Sequence, residues 1–447
     1  MNRFIPLLFL AVSIVGCGKK GGNSSGGKGF EAPPDGMVFV ESGSFTMGSS
    51  DEDVVWAMNA APKQITIDGF WIDQTEVTNQ AYRQFVAWTA DSIARRHLAN
   101  AGVDGFYIED EDDIDAETDD QPRLNYKTKI VSNRKNSAYE EQQMTLRDGG
   151  FFYSKQEALG KGRQVDTRKL YYVYSKFDLL QAAKAKWDPV EGRYIGTVTN
   201  MQGETQEIVD RSSFIMNFSV SVYPDTLCWI RDFRYSYNEP YAEKYFWHPS
   251  YDFYPVVGVS WKQAEAFCNW RSSGRSGEKQ YRKQFTSHSY RLPLEAEYEY
   301  AARGGLNMQL YPWGGPYTTN KYGCYLANFK PQRGNYALDG GARTLPVATY
   351  EPNDYGLYDM AGNVAEWTQD AYDENAYNFT HDLVPVYRYN AKDSDKASKK
   401  RKIIRGGSWK DISYFTQCGT RSYEYQDSTR SYIGFRCVRD VLGIRND

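Results

Sequence analysis

The side chains with most chemical reach in this 447-residue chain are six cysteines (Cys17, Cys228, Cys268, Cys324, Cys418, Cys437) and four histidines (His97, His248, His288, His381). Thiolates and imidazoles hold zinc when they recur at short, fixed spacings. No CxxC or HxxxH pair occurs here, so a Cys/His zinc centre is not expected. Outside the Gly/Ser-rich stretch Gly18–Gly29, no GxSxG occurs either, which argues against a Ser-His-Asp hydrolase. Carboxylates are more concentrated. Glu109–Asp120 (EDEDDIDAETDD) places nine acids in twelve positions. The glycine and terminal glutamate of an EF-hand loop are not at the required spacing, so a solvated loop is expected. The basic run Lys396–Lys402 is expected to be solvated as well.

The N-terminus sets the compartment in which this chemistry would operate. Met1–Cys17 reads MNRFIPLLFLAVSIVGC, with Arg3 ahead of a mostly apolar stretch, Phe4–Val15. A membrane-spanning helix takes about 20 residues, so the stretch is too short to span and predicts a cleaved signal peptide over 1–16. Ile14-Val15-Gly16-Cys17 resembles a bacterial lipobox, which predicts lipidation at Cys17. Gly18–Gly29 (GKKGGNSSGGKG) predicts a flexible tether within 17–35. Gly18 is not the aspartate that retains lipoproteins at the inner membrane, and the first acid is Glu31. The expectation is an outer-membrane, lipid-anchored protein facing the periplasm. With Cys17 given to lipid, five cysteines remain in an oxidising compartment, so at most two disulfides form.

The elements that must position any site follow from composition and pattern. Lys+Arg number 53 against 57 Asp+Glu, a balance of −4 that argues against nucleic acid as a partner. Aromatics make up 15% of the chain and glycines number 38, which predicts a loop-rich fold held by aromatic packing. Short strands are expected at Gly36–Val40, Ser42–Ser49, Ile65–Phe70 and Trp71–Glu76. Thr78 is expected to cap a helix running to about Trp88, with Tyr82, Phe85 and Val86 on one face. Further strands are expected near Lys169–Lys176, Ser213–Tyr223 and Val256–Val259. Ser260-Trp261-Lys262-Gln263 is a capping box, and Trp261, Ala264 and Cys268 fall on one helical face. Pro293 is expected to open a helix over Leu294–Arg303, with Leu294, Tyr298 and Ala301 apolar and Gly304-Gly305 as its stop.

Eight segments, taken together and in order, resemble the formylglycine-generating enzyme (FGE-sulfatase) family. They are Gly43–Gly48, Asp73–Asn79, Pro255–Trp261, Arg291–Ala301, Tyr311–Gly314, Tyr355–Trp367, Arg405–Trp409 and Gly434–Cys437. The resemblance implies one α+β domain over 36–440, related to C-type lectins, with little regular secondary structure and a short tail at 441–447. It covers about 36–88 and 254–440, leaving about 89–253 as a large insertion.

The family's enzymes use a C-x-x-x-x-C pair to bind copper and oxidise a substrate cysteine. Cys418 matches the second cysteine, but Ser413 stands at the first. A hydroxyl is a poor ligand for Cu(I), so the resemblance implies a lost catalytic site and no copper. It also implies structural calcium. One site would use Asn328, the Phe329 carbonyl, Asp339 and the Gly341 carbonyl. The other would use Asp359, the Gly362 and Val364 carbonyls, and Glu366. By the same carry-over Cys268 and Cys437 should be disulfide-bonded. Cys324 and Cys418 are the next pair to consider, and the pairing of Cys228, Cys324 and Cys418 stays open.

A narrower resemblance runs over nearly the whole chain, insertion included, in Tyr82–Val86, Val222–Thr226, Tyr235–Pro240, Tyr245–His248, Trp261–Ala264, Gly323–Pro331, Ala361–Trp367 and Gly407–Asp411. These segments are similar to the GldK/PorK ring lipoproteins of type IX secretion and gliding motility; GldJ is a near neighbour. That resemblance implies a non-enzymatic ring component with a GldN/PorN-type periplasmic partner, associated with the outer-membrane translocon. The rival readings are an active copper oxidase, if another cysteine approaches Cys418 in space, and a lectin-like ligand-binding module.

Overall fold

A computed structural model describes residues 33–49, 60–108, 124–131, 135–158, 162–201, 203–273 and 289–441. The expected signal peptide, Cys17, most of the tether and the acidic run Glu109–Asp120 lie outside these residues, as does His288.

The chain opens with strands β1 (Met37–Val40), β2 (Gly43–Met47), β3 (Lys63–Ile67) and β4 (Phe70–Asp73), then helix α1 (Asn79–Asn100). The insertion adds α2 (Ser137–Asp148), β5 (Tyr171–Phe177), α3 (Leu179–Lys184), β6 (Lys186–Asp188), β7 (Arg193–Ile195), β8 (Thr197–Thr199), β9 (Thr205–Glu207), β10 (Ile215–Ser221), α4 (Cys228–Asp232) and α5 (Glu239–Lys244). The remainder supplies α6 (Trp261–Ser272), β11 (Tyr290–Arg291), α7 (Glu295–Arg303), β12 (Ala365–Ala371), α8 (Ala376–Phe379), β13 (Arg401–Arg405), β14 (Ser422–Tyr425), β15 (Ile433–Gly434) and β16 (Val438–Asp440).

Two four-stranded sheets form the framework, in the orders β1-β4-β16-β11 and β14-β13-β12-β15. Only the β12/β15 contact is parallel within them. All four β4 residues are buried, as are six of the seven in β12, so both strands have two covered faces and lack polar alternation. Between α7 and β12, residues 304–364 form no helix or strand. Non-glycine residues in this span adopt positive φ at Met308, Ala348, Asp359 and Asn363. This loop carries most of the expected calcium ligands.

Aromatic packing joins insertion to framework. Tyr172 of β5 meets Phe85 of α1 edge-on at 5.3 Å. Trp229 of α4 stacks on Trp409 at 6.1 Å. Where α1 starts and the insertion ends, the backbone is clasped: Asn79 N donates to Tyr254 O (2.9 Å), Gln80 N to Asp252 O (3.1 Å) and Val256 N to Val77 O (2.8 Å). Inside the clasp, the buried Asn79 side-chain amide donates to the carbonyls of Tyr245 and Tyr251.

Several local expectations hold. Thr78 caps α1, and the Ser260/Gln263 capping box forms at both bonds. Gly304 ends α7 at φ 56°. Four expectations need correction. Helix α1 runs twelve residues past Trp88; Arg95 anchors the extension by pairing with Asp91 at 2.6 Å and donating to Asn125 O at 2.9 Å. Val256–Val259 is buried but makes no strand, because Gly258 at φ 73° turns the chain and donates to Arg430 O. Pro293 precedes α7 rather than entering it, since Leu294 holds the cap position. Finally, the basic run is not wholly solvated: Lys402 sits in β13 and is 1% exposed.

Candidate functional site

The nine residues of α7 are all buried, four charged ones among them. Carboxylates in such a place must be paired. Glu299 accepts from Arg303 one turn on (2.6 Å) and from Arg405 of β13, and it also receives the Gly48 N–H (2.8 Å). Glu295 takes a two-pronged contact from Arg421, at 2.6 and 3.1 Å. Its backbone N–H donates to Asp370 of β12 at 2.7 Å. Burial pushes Asp370 up to about 6, with neighbouring Glu295 adding to the effect. Sequence periodicity marked Leu294, Tyr298 and Ala301 and missed this network. Its signal was present only as alternating acids on a helix with too few polar positions left for a solvent face.

Ser413 and Cys418, which the resemblance marks as former catalytic positions, lie beside this network. Ser413 opens a short 3-10 turn, Ser413–Thr416, and its carbonyl accepts from the Thr416 hydroxyl at 2.8 Å. Cys418 is buried in the core cluster that includes Met47, Tyr300 and Ala301. Burial pushes its thiol up to about 12, although Arg303 and Arg405 pull the other way. In the metal-free chain Cys418 is thus held as a neutral thiol, the form that burial favours. A cavity of about 230 Å³ opens nearby, lined by Phe415 and Thr420 but by neither Ser413 nor Cys418. Its charged groups are paired: Lys410 with Asp411 at 2.8 Å, Glu424 with Arg430 at 2.8 Å, and Arg405 with Glu299. Among the described residues, no three His, Cys, Asp or Glu side chains cluster as a metal site.

Calcium sites built from carbonyls and one or two carboxylates are a separate case. In the first expected loop, Asn328 is buried and its amide N–H₂ donates to Arg343 O (2.8 Å) and Asn363 Oδ1 (3.2 Å). Its Oδ1 has no hydrogen-bond partner. The adjoining Phe329 N–H and the Gly341 N–H both donate to the Asp339 carboxylate, at 2.7 and 3.3 Å. An orphaned buried amide oxygen next to a loop closed by a carboxylate fits a hard cation.

The second loop packs on the first. A side chain at Gly362 would stand 2.4 Å from Asn328 O, and Asn363 N donates to that same oxygen at 2.7 Å. Asp359 accepts from Ala348 N at 2.7 Å, and burial pushes it up to about 6. Glu366, however, is committed elsewhere: Arg436 grips both its oxygens at 2.7 Å, with Tyr298 OH at 3.3 Å. A third acid, Glu76, which the sequence reading did not single out, accepts from Asn363 Nδ2 (2.9 Å) and Val364 N (3.2 Å). Burial, and then repulsion from Asp359 and Glu366, raises Glu76 well above the carboxylate range. Three buried acids stand near one guanidinium, and crowding them there favours their protonated forms. The geometry of Glu366 itself is that of an arginine partner.

Cys268 and Cys437 come together, both buried, with their sulfurs 3.4 Å apart. Cys228 is buried among Trp229, Tyr245 and Trp409, whereas Cys324 is exposed.

Comparison with known proteins bears on this arrangement. The model of the FGE-sulfatase family, described as "Sulfatase-modifying factor enzyme 1-like domain", matches residues 27–441. "Inactive C-alpha-formylglycine-generating enzyme 2" of Bos taurus is 35% identical over 191 residues, 41% of this chain and 50% of that protein. "Formylglycine-generating enzyme" of Bos taurus is 24% identical over 429 residues, covering 94% of this chain and 78% of that protein. Several matches of this kind span only about half the length of the relative. Among solved structures, that of PvdO from Pseudomonas aeruginosa covers 90% of this chain and 94% of its own, at 18% identity and a TM-score of 0.42.

Proposed function

The chain belongs to the FGE-sulfatase family, and we propose that it serves there as a non-enzymatic structural lipoprotein of the GldK/PorK type. In this reading Cys17 carries lipid and fixes the body to the outer membrane, facing the periplasm. The body assembles with further copies and with a GldN/PorN-type partner into a ring that braces a type IX secretion translocon. Calcium, held in the Asn328–Asp339 loop, staples the long irregular segment. A bond between Cys268 and Cys437 fastens α6 to the C-terminal strand.

The observation that carries the non-enzymatic half is Cys418. The family chemistry needs a pair of thiolates. Here the remaining cysteine is a core thiol raised to about 12, and Ser413 stands where the other would be. The ring half rests on the lipobox, the segments quoted from the insertion and the aromatic docking of that insertion on the framework. The existence of relatives named as inactive is in keeping with it.

The test is purification of the tagged protein in mild detergent from its native membrane, reading mass and partners together. A megadalton assembly with a stoichiometric periplasmic partner supports the reading. A monomer that carries copper and converts a cysteine-containing peptide to formylglycine overturns it.

A further inference from the structure

A second cavity, of about 180 Å³, lies where the insertion folds back on the family framework. It belongs to neither part alone. The insertion contributes an apolar wall: Met216 and Phe218 of β10, Met201, and Leu179 and Leu180 at the start of α3. Those two leucines are 73% and 52% exposed, so their own packing does not account for them. Thioethers give such a wall an adaptable surface. The framework contributes a polar wall, formed by Trp261, Lys262, Glu265, Gln369, Arg388 and Gln426.

The charges on these walls are unevenly satisfied. Lys176 pairs with Glu265 at 2.6 Å, and Lys262 with Asp427 and Asp393 at 2.8 and 3.2 Å. Asp178 is spent capping α3 through the N–H groups of Leu180 and Gln181. Among the described residues, two cations have only neutral oxygens as hydrogen-bond partners. Arg388 donates to Gln369 Oε1 at 3.2 Å. Directly behind the wall, Lys402 donates to Tyr389 O at 3.1 Å, with its ammonium 3.9 Å from the centre of the Trp261 ring.

We propose that this cavity binds a small apolar carboxylate, with the carboxylate on the Arg388 guanidinium and the apolar group against Met216, Phe218 and Leu180. A guanidinium presents a planar fork that fits a carboxylate in two-pronged fashion. The volume is below the roughly 300–1,000 Å³ of drug-sized sites, so the ligand is one ring or a short alkyl chain. The electrostatics of Lys402 agree. Burial pushes its ammonium down to about 8, and an arriving anion would favour the charged form. The carboxylate could belong to a free acid or to the C-terminus of a peptide ending in an apolar residue; the cavity chemistry is the same for both.

The test is isothermal titration of the full-length chain with 3-phenylpropionate and with acetyl-Gly-Gly-Phe, each beside its amide. Binding of the acids, weakened about tenfold or more by amidation and by Arg388→Gln, is expected. Tighter binding of the peptide assigns the site to chain termini, and tighter binding of 3-phenylpropionate to free acids. Leu180→Asp, at an exposed position, should abolish binding by placing a like charge at the rim. Equal binding of acid and amide, no binding at millimolar acid, or indifference to both substitutions overturns the proposal.

Discussion

The pair formed by Arg436 and Glu366 invites the sharpest test of how this body is held together. Both side chains are fully buried, and the guanidinium also donates to the carbonyls of Tyr358 (2.9 Å) and Asp73 (3.2 Å). Arg436→Met removes one partner of a buried pair, which costs about 3–5 kcal/mol. It also strips buried carbonyls of a donor, at about 1 kcal/mol or more. The sum, about 4–6 kcal/mol, is a large fraction of the ~5–15 kcal/mol by which domains are stable. It falls at a place where Glu76 and Asp359 depend on the same positive charge. The assay is urea unfolding followed by tryptophan fluorescence, for wild type, Arg436→Met, Glu366→Gln and the double variant. The double variant should recover at least about 1–2 kcal/mol relative to Arg436→Met, because no unpaired charge is left at 366. A single-variant loss below about 1.5 kcal/mol, or a double variant as weak as the sum of the singles, would refute the idea that charge pairing holds this region.

Three further outcomes are expected. Asp370 is raised from 3.8 to about 6 by burial, so the folded chain holds its proton where the unfolded chain has lost it. Stability should fall as pH rises from about 4 to about 6, by up to about 3 kcal/mol, and level off above; Asp370→Asn should flatten that slope in denaturant midpoints taken against pH. Millimolar calcium should raise the melting temperature over that in a chelator, and Asn328→Ala should lose the increment; an unchanged increment would remove Asn328 from the ligand set. Peptide mapping without reductant should recover Cys268 linked to Cys437, and Cys437→Ser should cost about 2–4 kcal/mol; free alkylation of both in the native compartment would leave them as contacting thiols.

What could be read from the sequence was whatever local chemistry decides. Thr78, the Ser260/Gln263 box and the Gly304 stop each act within a few residues, and each formed as expected. The length of α1 was hidden because its second half is held by Arg95 reaching carbonyls thirty residues away, and no apolar stripe announces it. The α7 network was hidden for the same reason on a larger scale, since Glu295 and Glu299 meet arginines more than a hundred residues further on. Lys402 looked solvated because a run of basic residues usually is, but β13 is covered on both faces, so Lys402 through Arg405 are all buried. The two loops expected to hold calcium could be singled out only through a resemblance. Glu76, packed between them, belongs to another segment and had no neighbouring signal.

The clasp at residues 77–80 and 252–256 has an architectural consequence. It joins the start of α1 to the end of the insertion by backbone hydrogen bonds, so the framework meets the same closed base whatever lies beyond. Closing a longer loop costs only about 0.6 kcal/mol for each doubling of its length. An inserted region on such a base can grow, shrink or be exchanged while the two sheets keep their register. Lineages sharing this framework could therefore acquire new surface at this seam without redesigning the core. A chimera exchanging 89–251 for a much shorter connector would measure how completely the two histories are separable.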